Sequence, residues 1–199
     1  EGVEASADGQ NVTALGTGSR AVGTNTRAQG VNAFADGQNA SASGTGSRAV
    51  GFNAIAQGVN AYAEGRNVVA LGTGATALGY NTNVLAMGTD SFADGSDVTA
   101  IGSQSSAVGI NTLAVGTGAS ASSEFSMAVG YNALANNRNA IAIGPDSQAT
   151  AKNALATGLG AKASGTNSMA VGGRSSAEFY QSTALGYKAK TKRDYEVAV

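Results

Sequence analysis

The sequence predicts an all-β fold, a parallel β-roll built from 14-residue coils that each contain two short strands. The string GTGSRAVG occurs at 16–23 and again at 44–51, and the segments 16–43 and 44–71 share 19 of 28 residues. Glycine also recurs at every seventh position from Gly2 to Gly79. Internal repeats with short periods are typical of solenoids, in which each repeat stacks on a copy of itself.

Each seven-residue unit has the pattern of one strand followed by one turn. The residue two places before the repeated glycine is Ala at 26 of 27 sites, and the residue four places before it is Ala, Ser, Thr or Val at all 27. Residues two apart lie on the same face of a strand, so these small side chains are predicted to face the inside of the roll. Asn, Asp or Gly usually stands two places after the glycine, where it favours a turn with positive φ. A coiled coil is excluded, because a glycine in every heptad would cost about 1 kcal/mol relative to Ala.

The seven-residue spacing changes once and weakens toward the C-terminus. The interval from Gly79 to Gly88 is nine residues, which predicts a two-residue insertion near Asn83 and Val84. We expect β-roll repeats over residues 1–186 and a different, charged segment over 187–199. Residues other than glycine stand at five of the later repeat positions: Ser123, Asn137, Ala151, Phe179 and Arg193.

The 14-residue coil follows from the side chains that point outward. Strands that end at Gly102 and at every fourteenth residue up to Gly186 are apolar on this face, whereas the alternating strands are mostly polar. A thin roll with an apolar stripe needs a covering surface, and a further copy of the same chain is the natural partner. The candidate interface residues are Ile101, Leu113, Val115, Met127, Val129, Ile141, Ile143, Leu155, Met169, Val171 and Leu185.

The stripe is interrupted in residues 1–65. Arg27 and Gln29, followed by Ser41 and Ser43, stand where apolar residues are expected. The sequence gives no physical account of which groups face the partner there, and the 28-residue duplication is consistent with pairs of coils that have a different interface.

The composition argues against several classes of function. A net charge of −1 disfavours nucleic-acid binding, and no apolar run approaches the length of a membrane span, so we expect no membrane contact by this segment. The chain has no Cys and no His, and its carboxylates are sparse. We therefore expect no catalytic residues, no metal site, no cofactor and no enzyme activity. The chain begins in the middle of the repeat pattern, which suggests that it is part of a longer protein.

Six aromatic residues are candidate contacts for a macromolecular ligand, because exposed aromatic side chains are enriched at interfaces. The alternative is that they stack between adjacent coils or fill gaps between subunits. Three stand on the mostly polar strands and three follow a repeated glycine: Phe34, Tyr62 and Phe92, and Phe52, Tyr80 and Tyr131.

Several segments resemble the 14-residue head repeats of trimeric autotransporter adhesins of the YadA-like type. They are SMAVGYNALA (126–135), NAIAIGPDSQATAKNALATG (139–158) and NSMAVGGRSSA (167–177). The resemblance implies a left-handed parallel β-roll assembled as a homotrimer, with the apolar strands toward the trimer axis. It also implies a location on the surface of a Gram-negative bacterium, with outer-membrane anchoring through regions absent from this chain.

The resemblance further implies what the protein binds. Heads of this family bind host matrix proteins such as collagen, fibronectin or laminin, or host receptors, and some cause autoagglutination. The alternative is a structural spacer or fibre segment without a ligand of its own; a solenoid enzyme is a more distant third. The segment 187–199 resembles the approach to the family's neck, although its charges alone are explained equally well by a solvated cap.

Overall fold

Parallel β-strands make up the regular structure of this chain. The computed structural model describes residues 2–80 and 82–199, and in these residues there are strands and turns but no helix. They form two compact units, residues 2–98 and Thr99–Val199. Each unit is a parallel β-solenoid with two strands in each coil, which confirms the predicted fold class.

The strands are short, as a seven-residue repeat requires. Up to the middle of the chain they are β1 (Ser6–Gln10), β2 (Thr13–Leu15), β3 (Arg20–Thr24), β4 (Arg27–Gln29), β5 (Phe34–Gln38), β6 (Ser41–Ser43), β7 (Arg48–Gln57), β8 (Tyr62–Leu71), β9 (Thr76–Gly79), β10 (Val84–Met87), β11 (Phe92–Ser96) and β12 (Val98–Ile101). The others are β13 (Ser106–Ile110), β14 (Leu113–Val115), β15 (Ser120–Ala121), β16 (Met127–Val129), β17 (Leu134–Ala135), β18 (Ile141–Ile143), β19 (Gln148–Ala149), β20 (Leu155–Thr157), β21 (Lys162–Ala163), β22 (Met169–Val171), β23 (Ser176–Ala177), β24 (Thr183–Leu185) and β25 (Val197–Ala198).

Two kinds of strand alternate along the chain. We call the strand before Gly16, and its equivalents in later coils, the A strand; the other strand of each coil is the B strand. The corner that follows each strand takes the same letter. Strands β7 and β8 each run through a B strand, its B corner and the following A strand without a break.

Neighbouring coils pair in parallel at an offset of 14 residues, as predicted. On the B strands Ser6 pairs with Arg20, and on the A strands Thr13 pairs with Arg27. The same offset relates β14 to β16 and β18 to β20 in the second unit. Each residue type therefore lies directly beside its counterpart in the next coil.

The offset becomes 16 residues where the glycine spacing is extended. Val84 pairs with Val68, and Phe92 pairs with Thr76. Val84 is therefore the regular first residue of an A strand, and the two additional residues lie in the B corner between Gly79 and Val84. The coil lengthens there without a shift in the strands on either side.

The core consists of small side chains, as the spacing predicts. Every alanine two places before a repeat position, from Ala21 to Ala184, is fully buried. The residues four places before each repeat position are also buried, and Val68, Val84 and Val98 are the largest of them. Most buried serines at this position are satisfied locally, as where the Ser105 hydroxyl donates to the carbonyl of Gly102 at 2.8 Å, whereas the hydroxyl of Ser168 has no partner in the described residues. The interior has no room for a long aliphatic side chain.

The A corners explain why glycine is needed at the repeat position. Gly16 has φ +122 and Gly18 has φ +66, and the amide of Ser19 donates to the carbonyl of Gly16 at 3.2 Å. Of the two central residues of this turn, only Gly18 has a positive φ, as in a type II turn. A Cβ on Gly16 would also stand 2.5 Å from the carbonyl oxygen of Gly30 in the next coil. Conformation and close packing therefore both require glycine.

From Ser123 onward the B corners differ from those of the earlier coils, where the repeat position is a glycine with positive φ, and this accounts for the thinning of the glycine pattern. The amide of Ser126 donates to the carbonyl of Ser123 at 3.1 Å, so the turn begins at the repeat position itself. Positive φ occurs at Phe125, two residues later, and not at Ser123. Residues with side chains are tolerated at this position because its φ is not in the left-handed region.

Asparagine side chains form ladders along the B corners. Asn25 donates to Asn39 at 3.2 Å, and Asn39 donates to Asn53 at 2.9 Å. In the second unit Asn139 donates to Asn153 at 2.9 Å. These residues have φ near +55, which asparagine tolerates better than most residues. The same residue therefore forms the turn and links it to the next coil.

The charged segment 187–199 continues the coil pattern. Val197 pairs with Thr183, and Thr191 replaces the usual buried alanine and donates to the Ser182 hydroxyl at 3.1 Å. A carboxylate oxygen of Glu196 accepts hydrogen bonds from the amides of Lys192 and Arg193. The composition thus changes at residue 187, but the strand register does not.

Candidate binding surfaces

The eleven candidate interface residues form one apolar stripe on the second unit. One row pairs Leu113 with Met127, Met127 with Ile141, and Ile141 with Leu155. A second row, two residues along each strand, runs from Ile101 through Val115, Val129 and Ile143, and from Val171 to Leu185.

These side chains are only partly covered within the chain. Ile143 is 39% exposed and Leu185 is 47% exposed, whereas Val115 and Val129 are half-buried between their neighbours in the row. Contiguous exposed apolar surface on a soluble domain usually marks an interaction site. The stripe therefore has the chemistry of an interface, and its role between subunits stays a prediction.

In the first unit the same face is polar over two coils. A guanidinium nitrogen of Arg27 donates to the Gln29 side chain at 2.5 Å, and Ser41 and Ser43 follow in the next coil. Ile55 resumes the apolar row one coil later, with 39% exposure. The predicted interruption thus corresponds to two polar coils, in the first of which Arg27 and Gln29 are hydrogen-bonded.

The B strands of the first unit carry a ladder of alternating arginine and aromatic side chains. The Phe34 ring lies between two guanidinium groups, with Arg20 at 5.7 Å and Arg48 at 5.0 Å from its centroid. Arg48 also lies 5.7 Å from the centroid of Tyr62. Each contact of this kind contributes about 0.5–1 kcal/mol at exposed sites. Phe34 and Tyr62 therefore stack on arginines of adjacent coils.

This ladder gives a physical reason for the 28-residue duplication. Two coils are needed for one cation and one aromatic ring, so the pattern repeats every second coil. The 14-residue spacing of Arg20 and Phe34 in the sequence indicates that they lie in adjacent coils. Arg20 and Arg48 are two contact residues that the sequence analysis did not include. Phe92 pairs with Thr76 and has no arginine at the equivalent place.

Tyr62 also interacts with an acidic side chain on its own strand. Its hydroxyl donates to the carboxylate of Glu64, two residues along the strand. This hydrogen bond raises the pKa of Tyr62, and burial and the negative charge of Glu64 act in the same direction, while Arg48 opposes them. The neutral phenol is therefore the favoured form in the folded protein.

The B corners at the extended coil form a groove of about 560 Å³. A row of three glycines lines the groove: Gly51 pairs with Gly65, and Gly65 pairs with Gly79 in the next coil. Tyr80 is 74% exposed. Phe52 lies two coils away, and the guanidinium of Arg66, on the coil between them, is 5.3 Å from the centroid of the Phe52 ring. The lining residues are Val50, Gly51, Phe52, Glu64, Gly65, Arg66, Leu78, Gly79 and Tyr80.

The groove brings together two of the six candidate contact residues. Phe52 and Tyr80 share it, whereas Phe34 and Tyr62 belong to the ladder on the B strands. Tyr131 is 57% exposed at an A corner of the second unit. The sequence did not reveal the groove, since its shape depends on how the extended corner is arranged.

The other chemical features are simple. Among residues 2–80 and 82–199 no cluster of three or more acidic, histidine or cysteine side chains is placed to hold a metal ion. The same residues include no helix long and apolar enough to cross a membrane. On the second unit the pKa of Glu178 is lowered by a hydrogen bond from Ser176 and by the charge of Lys162.

Comparison with known proteins identifies the repeat. The family model described as the YadA head domain repeat, which spans two copies of the repeat, matches most of the chain. The matched segments are 2–19, 28–54, 49–75, 70–84, 85–105, 107–133, 135–161 and 163–189. The chain belongs to the YadA head repeat family. It is thus an adhesin-type head domain of the trimeric autotransporter class, and YadA-type heads are exposed on the surface of bacteria.

This YadA-type head was also compared with curated proteins and with solved structures. No curated protein matches the sequence. Among solved structures, the crystal structure of the collagen-binding domain of the Yersinia adhesin YadA is 22% identical to it. That match covers 98% of this chain and 69% of the other, with a TM-score of 0.21.

Proposed function

We propose that this YadA-type head assembles as a homotrimer and binds host extracellular-matrix proteins or host receptors. Collagen, fibronectin and laminin are the ligands to test first, and autoagglutination is a further activity of the same surface. The observation that carries the proposal is the match to YadA head repeats over most of the chain. The proposal extends to anchoring of the protein in the bacterial outer membrane.

The apolar stripe of the second unit supports the trimer. Packing three stripes together would remove partly exposed side chains such as Ile143, Met169 and Leu185 from water. Burial of apolar surface contributes about 25 cal/mol per Å², which makes a continuous row of this kind an effective contact between copies. The charged segment 187–199 would then lie at one end of the head, as a cap or as the first part of a neck.

Three copies also explain how weak contacts give firm adhesion. Linked sites bind with an effective concentration that raises avidity roughly 10²–10⁴-fold over a single site. A trimer should therefore remain on an immobilised matrix protein longer than a monomer does. This difference connects the stripe to adhesion without requiring a deep ligand site on each copy.

The assembly is tested by light scattering over a range of concentrations. The wild-type chain should show a mass of three times 19.4 kDa. Ile143→Lys should give a folded monomer, because a lysine in the apolar row would be buried without a partner. Gln148→Lys, on the neighbouring B strand, is the matched control and should remain trimeric. A wild-type protein that stays monomeric at every concentration would contradict the assembly.

Adhesion is tested on immobilised collagen, fibronectin and laminin, with cultured host cells as a further surface. Wild-type protein should bind at least one of these surfaces and dissociate more slowly than Ile143→Lys. If a well-folded trimer bound none of them, the chain would be better described as a structural spacer without a ligand of its own.

A further inference from the structure

We infer that the polar coils of the first unit hold an inorganic oxyanion, such as phosphate or sulfate, between three copies of the chain. This inference rests on the homotrimer proposed above and adds a ligand on its axis. The central residue is Arg27, which is exposed on the outward face of an A strand. Among the described residues it is the one charged side chain at the outward positions of the A strands from β2 to β24.

The A strands of the first unit are apolar on both sides of the polar coils. Leu15, in the coil before them, is 37% exposed, and Ile55, in the coil after them, is 39% exposed. Leu15 pairs with Gln29 and Ile55 pairs with Ser41, so the polar residues lie directly between these two apolar positions. Packing of the A strands of three copies would therefore enclose three Arg27 side chains away from water.

Three arginines enclosed together need a negative charge beside them. Arg27 is in no salt bridge within the part of the chain that the structure describes, and its guanidinium donates to the side chain of Gln29 at 2.5 Å. A guanidinium does not lose its proton in proteins, so the charge cannot be relieved by deprotonation. A buried charge without a partner is strongly unfavourable. One anion on the axis would compensate all three copies at once.

The groups around Arg27 are hydrogen-bond donors. The side-chain oxygen of Gln29 accepts the bond from Arg27, which leaves the amide NH₂ of Gln29 as a donor. The hydroxyl groups of two serines lie in the next coil, where Arg27 pairs with Ser41 and Gln29 pairs with Ser43. Each copy would thus supply a guanidinium, an amide and two hydroxyls to the same layer. A cationic site rich in donors is complementary to an anion.

The arginines favour an oxyanion over a halide. The planar fork of a guanidinium matches two oxygens of a phosphate or sulfate, and such charge-assisted bonds are about twice as strong as neutral ones. A tetrahedral oxyanion has a threefold axis of its own, so three of its oxygens would meet equivalent arginines of the three copies. A phosphate group carries about 1.5–2 negative charges at pH 7, which offsets most of the charge of the three guanidinium groups.

The test uses the full chain and inorganic phosphate, titrated by calorimetry in a buffer free of phosphate and sulfate. Wild-type protein should bind one phosphate per three chains. Arg27→Gln should weaken this binding at least about 100-fold, because three charge-assisted hydrogen bonds are lost. Arg20→Gln removes the same charge from the preceding B strand, so it is the matched control and should bind as the wild type does. Phosphate should also raise the thermal unfolding temperature of wild type and Arg20→Gln, but not of Arg27→Gln.

The other outcomes overturn the inference. A trimer that binds no phosphate up to about 1 mM would remove it and leave the proposed assembly intact. Binding of one phosphate per chain, or undiminished binding by Arg27→Gln, would place the anion elsewhere. Binding of chloride without binding of phosphate would refute the oxyanion class. A chain that binds no phosphate and stays monomeric in light scattering at every concentration would contradict both the trimer and the site, so the two failures are distinguishable.

Discussion

Replacement of Gly116 by alanine should destabilise the second unit through backbone strain and through collision with the next coil. Gly116 has φ +130, and a Cβ there would stand 2.5 Å from the carbonyl oxygen of Gly130. Strain of this kind costs about 1–3 kcal/mol. To relieve the collision the two coils must move apart. This weakens two backbone hydrogen bonds, from the amide of Gly130 to the carbonyl of Val115 at 2.8 Å and from the amide of Asn132 to the carbonyl of Thr117 at 3.0 Å. Each of these hydrogen bonds contributes about 0.5–1.5 kcal/mol, so strain and lost hydrogen bonds together should lower the free energy of unfolding by roughly 2–6 kcal/mol.

Gly186 supplies the control that separates the two effects. It has φ +117, yet a Cβ on it would meet nothing within 4 Å. Gly186→Ala should therefore cost only the strain, about 1–3 kcal/mol. Urea unfolding followed by circular dichroism gives both values, and amide hydrogen exchange shows whether the loss is confined to the coils around Gly116. Equal destabilisation by the two substitutions would refute the claim that coil-to-coil contact restricts this position.

Three further tests concern the core, the asparagine ladder and Tyr62. Ala142→Leu should cost about 1–3 kcal/mol or more by overpacking the buried row, whereas Leu134→Ser on the outward face should be milder; equal shifts in urea midpoint would contradict the inward and outward assignment. Asn39→Ala should destabilise more than Asn39→Gly in thermal unfolding, because both lose two amide bonds but only glycine keeps the positive φ without strain. The raised pKa of Tyr62 contributes stability below pH ~10 that is lost as the pH rises through the folded-state value. Tyr62→Phe should lessen this alkaline loss in urea titrations at several pH values, and an unchanged pH profile would show that the bond to Glu64 is not populated.

The sequence was sufficient for the repeat, the coil length and the inward rows. Ala142 and its equivalents were placed inside because a strand has a period of two, and nothing else in the fold competes with that rule. The conformation at Ser123 was harder to predict, since one seven-residue spacing is compatible with two turn geometries. Only the pattern of backbone hydrogen bonds separates them.

The candidate surfaces were predicted less completely than the core. The apolar row through Ile143 follows directly from the 14-residue offset. To predict the stacking of Phe34 between Arg20 and Arg48, both the strand register and the directions of the side chains must be known. The aromatic residues could therefore be predicted as contacts, but their arginine partners could not. The groove beside Tyr80 depends on the path of an extended corner, which no periodic rule describes.

The extended corner has a practical consequence for protein engineering. Gly79 keeps its regular partner on one side and Val84 keeps its own on the other, although two more residues join them than in an ordinary coil. The corner therefore tolerates added length without disturbing its flanking strands. We expect that a foreign peptide epitope grafted between these two residues would leave the register of both flanking strands unchanged, so this head could serve as an epitope carrier in vaccine design.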